Sequence, residues 1–155
     1  MKYYSHVVFA LLYFPLVCSG AKAPYSEEKL QQVATHIVVG KVKAIYSMKQ
    51  VEGIPLMGSF NYERKVAEVI VEKVTKGKLA ESLVYVRYWS RTWNGIMSQT
   101  PGGQSYFPQP KMGQVCRFYL AKNSYDGWSK DKNNDGGYNV VYANGVHPID
   151  SNHND

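Results

Sequence analysis

The stretch His36–Tyr46, HIVVGKVKAIY, decides the fold class of this chain. It is rich in β-branched residues, and small or apolar side chains recur at every second position, which is the period of a β-strand with one buried face. The predicted buried face carries Val38, Gly40, Val42 and Ala44. Because glycine in the middle of a strand favours a bulge or a sharp bend, this stretch predicts a long, bent strand.

The same period recurs in four later segments, which turn-forming residues separate from one another. The predicted strands are 62–74, 83–89, 114–121 and 138–143, with a loop expected over 47–60. One short helix precedes them from Ser26, because Ser26 can cap the first turn and Glu27 and Glu28 suit its positive end. Five strands and one helix cannot bury themselves as an open sheet. We therefore expect a mostly β protein, a small five-stranded OB-like barrel with one short N-terminal helix.

The order of these segments resembles the netrin-like domains, a family that includes the tissue inhibitors of metalloproteinases and their bacterial secreted relatives. The matching pieces, within residues 34–146, are VVGKVKAI at 38–45, EVIVEKVTKG at 68–77 and GQVCRFYLA at 113–121. The resemblance implies an OB-type barrel and an extracellular setting. Those inhibitors act through an N-terminal cysteine braced by disulfides, and this chain departs from that pattern. No inhibitory residue is therefore carried over.

Residues 1–21 have the pattern of a secretory signal peptide, and we expect a secreted or periplasmic protein. The apolar run Val7–Val17 is too short to span a bilayer, and Ser19 and Ala21 supply the small side chains that cleavage requires. Pro15 interrupts the run, which argues against the alternative of a buried N-terminal helix. The expected organisation is a signal peptide at 1–21, one barrel domain at 22–149 and a frayed tail at 150–155. No later stretch is apolar for long enough to form a transmembrane segment.

The net charge bears on the classes of partner, and the cysteine content bears on disulfide bonding. The net charge of +6 is compatible with anionic partners, but it is not by itself a nucleic-acid signature, and nucleic acid is not an expected partner. Cleavage would remove Cys18 and leave Cys116 with no cysteine to pair with. Because Cys116 lies in the apolar run 115–120, we expect a buried, structural thiol.

The candidate ligand-binding residues alternate along the third predicted strand and its continuation. They are Tyr85, Arg87, Trp89, Arg91 and Trp93. If the chain stays extended, all five side chains fall on one face, where aromatic rings could stack on sugars or bases and guanidinium groups could hold anions. The alternative is that this face packs beneath residues 98–110 or simply covers the barrel.

The segment DKNNDG at 131–136 suggests a calcium loop, with Asp131, Asn133 and Asp135 as the candidate metal ligands. Only the first half of the motif is present, because its twelfth position is Tyr142 rather than a bidentate glutamate. A polar turn uses the same residue types. We therefore expect no cofactor, with calcium as the alternative.

No catalytic motif is present in the sequence, so no catalytic residue is assigned and we do not expect an enzyme. The histidines have no metal-ligand spacing, and neither a nucleophile elbow nor a phosphate-binding glycine loop occurs. A hydrolase would need remote carboxylates to converge. We expect an exported binding module, with an extracellular protein as its partner. The alternative ligand is a carbohydrate or anionic polymer bound through the Arg/Trp strand face.

Overall fold

The computed structural model describes residues 24–54, 58–95, 108–122 and 137–149, and it is mostly β with one short helix, as the sequence predicts. In chain order the elements are α1 Glu27–Val33, β1 His36–Ile54, β2 Gly58–Lys76, β3 Leu83–Gly95, β4 Val115–Lys122, β5 Tyr138–Val140 and β6 Val146–Pro148. The predicted signal peptide, the calcium candidates Asp131, Asn133 and Asp135, and the predicted tail at 150–155 lie outside the described residues.

Five of the strands close into a ring. Their order is β1-β2-β3-β5-β4, with β4 pairing back to β1. Strand β6 pairs with residues 116–118 of β4 on the side opposite β1. All pairs are antiparallel except β3 and β5, which are parallel and meet only at Val86–Tyr138 and Arg87–Asn139. Where a strand of the ring pairs with a neighbour on each side, it has no free edge.

Strand β1 closes the ring because its first part pairs with two neighbours at once. Residues 37–41 face β2 at 70–76, and residues 36–41 face β4 at 115–120. Gly40 lies at a register shift, as its place in mid-strand predicts, and a Cβ there would approach the Ile70 carbonyl oxygen to 2.5 Å. Another register shift, between Val42 and Ala44, sets Ala44 opposite Glu68. The prediction that Ala44 continues the buried face is therefore wrong, because the bulge at Lys43 reverses the alternation.

The interior of the ring is filled by side chains from all five of its strands. The largest cluster of buried residues contains Val38, Val42, Ala67, Val69, Val84, Val86, Tyr88, Cys116, Phe118, Leu120, Tyr138, Val140 and Val146. A second cluster lies outside the ring, where Leu30 and Ala34 pack against Ile37 and Tyr119. There α1 is capped by Ser26, as predicted, and the Tyr119 hydroxyl donates to the Glu27 carboxylate at 2.8 Å.

Three strands run further than the sequence predicts. Residues 47–54 and 58–60, expected in a loop, are paired from Ser47–Lys65 to Ile54–Gly58 as the outer arms of β1 and β2. Strand β3 likewise continues to Gly95, whereas β5 ends at Val140. The three long strands therefore extend past the ring as a three-stranded sheet. Among the described residues, no helix is long and apolar enough to cross a membrane.

Cys116 is fully buried and unpaired, as predicted, and it shares its core cluster with Phe118 and Leu120. Burial raises the pKa of its thiol to about 11, so little reactive thiolate forms near neutral pH.

We expect slow labelling of Cys116 by a thiol reagent in the native state, and rapid labelling would contradict this burial. Cys116→Ala removes one small group from the core and should lower the free energy of unfolding by about 1 kcal/mol, measured by urea denaturation.

Candidate functional site

The five candidate ligand-binding residues of β3 lie on the side of the sheet that points away from the core. Val84, Val86 and Tyr88 face into the ring, and β3 pairs with β2 along its whole length. Period-two alternation therefore sets the five candidate residues on the opposite side, which we call the outward face. That face carries Tyr85, Arg87, Trp89, Arg91 and Trp93 from β3, opposite Glu68, Val66, Arg64, Tyr62 and Phe60 of β2.

These five candidate residues differ in how much surface they expose. Tyr85 is 50% exposed, whereas Trp89 is only 8% exposed. Arg87, Arg91 and Trp93 are half-buried. The five residues therefore do not form a continuous exposed platform, because Trp89 offers almost no ring surface to a ligand.

At the outer end of the sheet, Arg91 packs among aromatic rings. Its guanidinium carbon lies 3.5 Å from the centroid of the Phe60 ring and 5.5 Å from that of Tyr62. Phe60 also contacts Trp93, with ring centroids 4.5 Å apart and planes inclined by 52°. Such cation–π and tilted-ring contacts hold these side chains against one another across β2 and β3. This end of the outward face is therefore a packed layer.

Nearer the ring, a buried carboxylate organises the outward face. Glu68, 7% exposed, accepts hydrogen bonds from the Lys43 ammonium at 2.8 Å and from the Tyr46 hydroxyl at 3.2 Å. The Lys43 hydrogen bond is the main reason that the pKa of Glu68 lies below its ordinary value, and the Tyr46 hydrogen bond lowers it further. The hydrogen bond between Tyr46 and Glu68 also raises the pKa of the Tyr46 hydroxyl. Tyr85 lies directly opposite Glu68, so these groups form one polar row across three strands.

Two exposed residues of β1 belong to the same face, although the sequence did not identify them. Tyr46 pairs with Val66, which pairs with Arg87, and Met48 lies in the next row beside Arg64 and Trp89. Tyr46 is 58% exposed and Met48 is 68% exposed. The alternate spacing of Tyr46 and Met48 is consistent with one face of a strand. This spacing did not enter the prediction, because a loop is predicted from Ser47 onward.

Neither a metal site nor a known relative defines the function. Within residues 24–54, 58–95, 108–122 and 137–149, no group of three His, Cys, Asp or Glu side chains could hold a metal ion. Comparison with protein-family models, with curated proteins and with solved structures finds no match to this chain. The mostly β ring and the outward face are therefore the features from which a function can be inferred.

The depressed pKa of Glu68 predicts a pH-dependent contribution to stability. Because ionised Glu68 is favoured in the folded state, its contribution is present above the ordinary carboxyl pKa of 4.5 and is lost as the pH falls through the lower folded value. Glu68→Gln should therefore be less stable than the parent protein at neutral pH, and the difference should shrink on acidification below 4.5.

The measurement is urea denaturation of both proteins across that pH range. Glu72→Gln, which removes an exposed carboxylate from the same strand, is the charge-matched control. A Glu68→Gln difference that stays constant with pH would show that the variant acts through packing rather than through the ionised carboxylate.

Proposed function

We propose that this chain is an exported, non-enzymatic protein-interaction module, and that its partner docks on the outward face. The observation that carries the proposal is the clustering of exposed apolar side chains on one side of a paired sheet. Tyr46, Met48 and Tyr85 are each at least half exposed and lie in adjacent rows of β1 and β3. Tyrosine and methionine are enriched in the buried centres of protein interfaces, so this composition suits a protein partner.

The charges around this patch define the partner further. Lys43, Arg64 and Arg87 lie on the same face, and Glu68 already receives hydrogen bonds from Lys43 and Tyr46. The patch therefore has an apolar centre with charged side chains around it. A complementary partner surface would present an apolar centre with polar and charged groups at its rim.

The strand order supports the proposal that the ring is an OB-like, netrin-like barrel. A five-stranded ring closed between β1 and β4, with one parallel pair between β3 and β5, is compatible with a Greek-key barrel of that kind. OB folds bind ligands on the face of their second and third strands, which here carry most of the outward face. The signal-like sequence at 1–21 supports export to a secreted or periplasmic location.

A carbohydrate or anionic polymer is the second candidate ligand, favoured by the exposed Tyr85 ring next to Arg87 on the same face. Sugar rings need exposed aromatic faces on which to stack, and Trp89 does not offer one. A protein partner fits better, because the three exposed side chains are spread over two strands rather than aligned along one.

Affinity capture from the native extracellular fraction tests the proposal. The double variant Tyr46→Ala with Met48→Ala should lose the partner that the parent protein captures, with affinity reduced by about tenfold or more, because these side chains form the apolar centre. Tyr85→Ala is a second variant that leaves the Glu68 hydrogen bonds in place.

Met112→Ala is the matched control, because Met112 is 73% exposed but lies in the turn before β4 and belongs to none of the strands that carry the outward face. Support requires a protein that the parent and the control capture and that both outward-face variants fail to capture. A partner retained by all variants, or a ligand that proves to be a polysaccharide, would contradict the proposal.

A further inference from the structure

The outer arm of β1 has one edge without a strand beside it. Residues 44–51 pair with β2 at 61–68 on one side. On the other side the contacts of β1 with the β4 region end at Val42, whose N–H donates to the Gln114 carbonyl and whose carbonyl accepts from the Gly113 N–H. Across the part of the chain that the structure describes, no strand pairs with that second side of residues 44–51. We call residues 44–51 the open edge.

An edge of this kind presents backbone hydrogen-bonding groups to any strand that comes alongside. In an antiparallel ladder, alternate residues direct their N–H and C=O groups away from the paired neighbour. Natural edge strands are commonly protected by several charges, by proline or by short length. The open edge has the sequence AIYSMKQV, which contains no proline and a single charged residue, Lys49. It is therefore well suited to pairing with another strand.

The open edge exposes apolar side chains on both faces of the sheet. Tyr46 and Met48, on the outward face, are 58% and 68% exposed, and Val51, on the opposite face, is 65% exposed. A strand added beside the open edge would place its own alternating side chains next to these residues on both faces. Such pairing would therefore cover apolar surface as well as satisfy backbone groups.

The charges on this part of β1 do not oppose the approach of an identical strand. Lys43, at the bulge that precedes the open edge, forms an ion pair with Glu68 at 2.8 Å. Lys49 lies directly opposite Glu63 of β2. In a symmetric antiparallel pair, only the register centred on Lys49 sets this cation opposite itself, so the other registers avoid that repulsion.

We propose that the open edge pairs with the open edge of a second copy of this chain, as an antiparallel ladder about a twofold axis. A twofold axis perpendicular to the sheet carries the outward face of one copy onto the outward face of the other. Tyr46 and Met48 of both copies then lie on one continuous face, and Val51 of both copies lies on the other. A second copy supplies, by identity, a strand of the same length and the same alternation, and the two three-stranded arms become one six-stranded sheet.

The association is weak and depends on concentration. Stable protein interfaces bury about 1,200–2,000 Å² in total, and a ladder of eight residues with its flanking side chains is a small contact by that standard. The inference also goes beyond the docking role proposed above. Its test leaves Tyr46, Met48 and Tyr85 unchanged, so either proposal can fail without the other.

Sedimentation equilibrium of the protein between about 1 μM and 1 mM tests the inference. We expect the average mass to rise with concentration from that of the monomer toward twice that mass. At the highest concentration, the backbone amides within residues 44–51 should gain protection from hydrogen exchange relative to the lowest, because the ladder pairs them.

The double variant Ser47→Lys with Val51→Lys should raise the dissociation constant of the dimer about tenfold or more. With lysine at positions 47, 49 and 51, every symmetric register that pairs this stretch with the same stretch of the copy sets one lysine opposite another. Both positions are exposed, so the variant should keep the circular dichroism spectrum of the parent.

The matched control is Ser82→Lys with Met112→Lys, which adds the same charge at exposed positions outside the open edge. It should associate as the parent does. A parent protein that stays monomeric over the whole range would overturn the inference, and so would a dimer whose formation leaves amide exchange in residues 44–51 unchanged. An equal loss of association in the variant and the control would also overturn it, because net charge rather than the open edge would then govern the dimer.

Discussion

Strand β1 hydrogen-bonds to β2 and to β4 over the same short stretch, 37–41, and this double pairing turns the sheet into a ring. Three backbones must come together there, and Gly40 is the residue at which they do. It lies opposite Val71 of β2 and Cys116 of β4, with the Ile70 carbonyl where a Cβ would project. A side chain at this position would push the strands apart, so the closure depends on a residue without one.

The outward face follows from that closure. Because the ring buries one side of β2 and β3, the alternate residues of these strands point outward, and the arms of β1, β2 and β3 carry that face beyond the ring. Closure also requires β5 to insert between β3 and β4. That insertion brings Lys122 and Gly137 beside Arg87.

The sequence predicted those features that depend on local patterning. The β-branched alternation of HIVVGKVKAIY indicated β1, its mid-strand glycine indicated the irregularity at Gly40, and period two aligned Tyr85 through Trp93. It missed the outer arms because Gly53, Pro55 and Gly58 are typical of a loop, whereas cross-strand pairing keeps the flanking residues extended. The burial of Trp89 depends on contacts between distant segments, which no local pattern encodes. The netrin-like resemblance stays a prediction.

Amide hydrogen exchange combined with cross-strand NOE measurements by NMR tests the ring closure most directly. A closed ring predicts slowly exchanging amides in both β1 and β4 and close backbone contacts between Val39 and Arg117 and between Gly40 and Cys116. It also predicts contacts from the same β1 residues to β2, at Lys73 and Val71. Contacts from β1 to β2 alone, with rapid exchange along β4, would show an open sheet and contradict the closed ring.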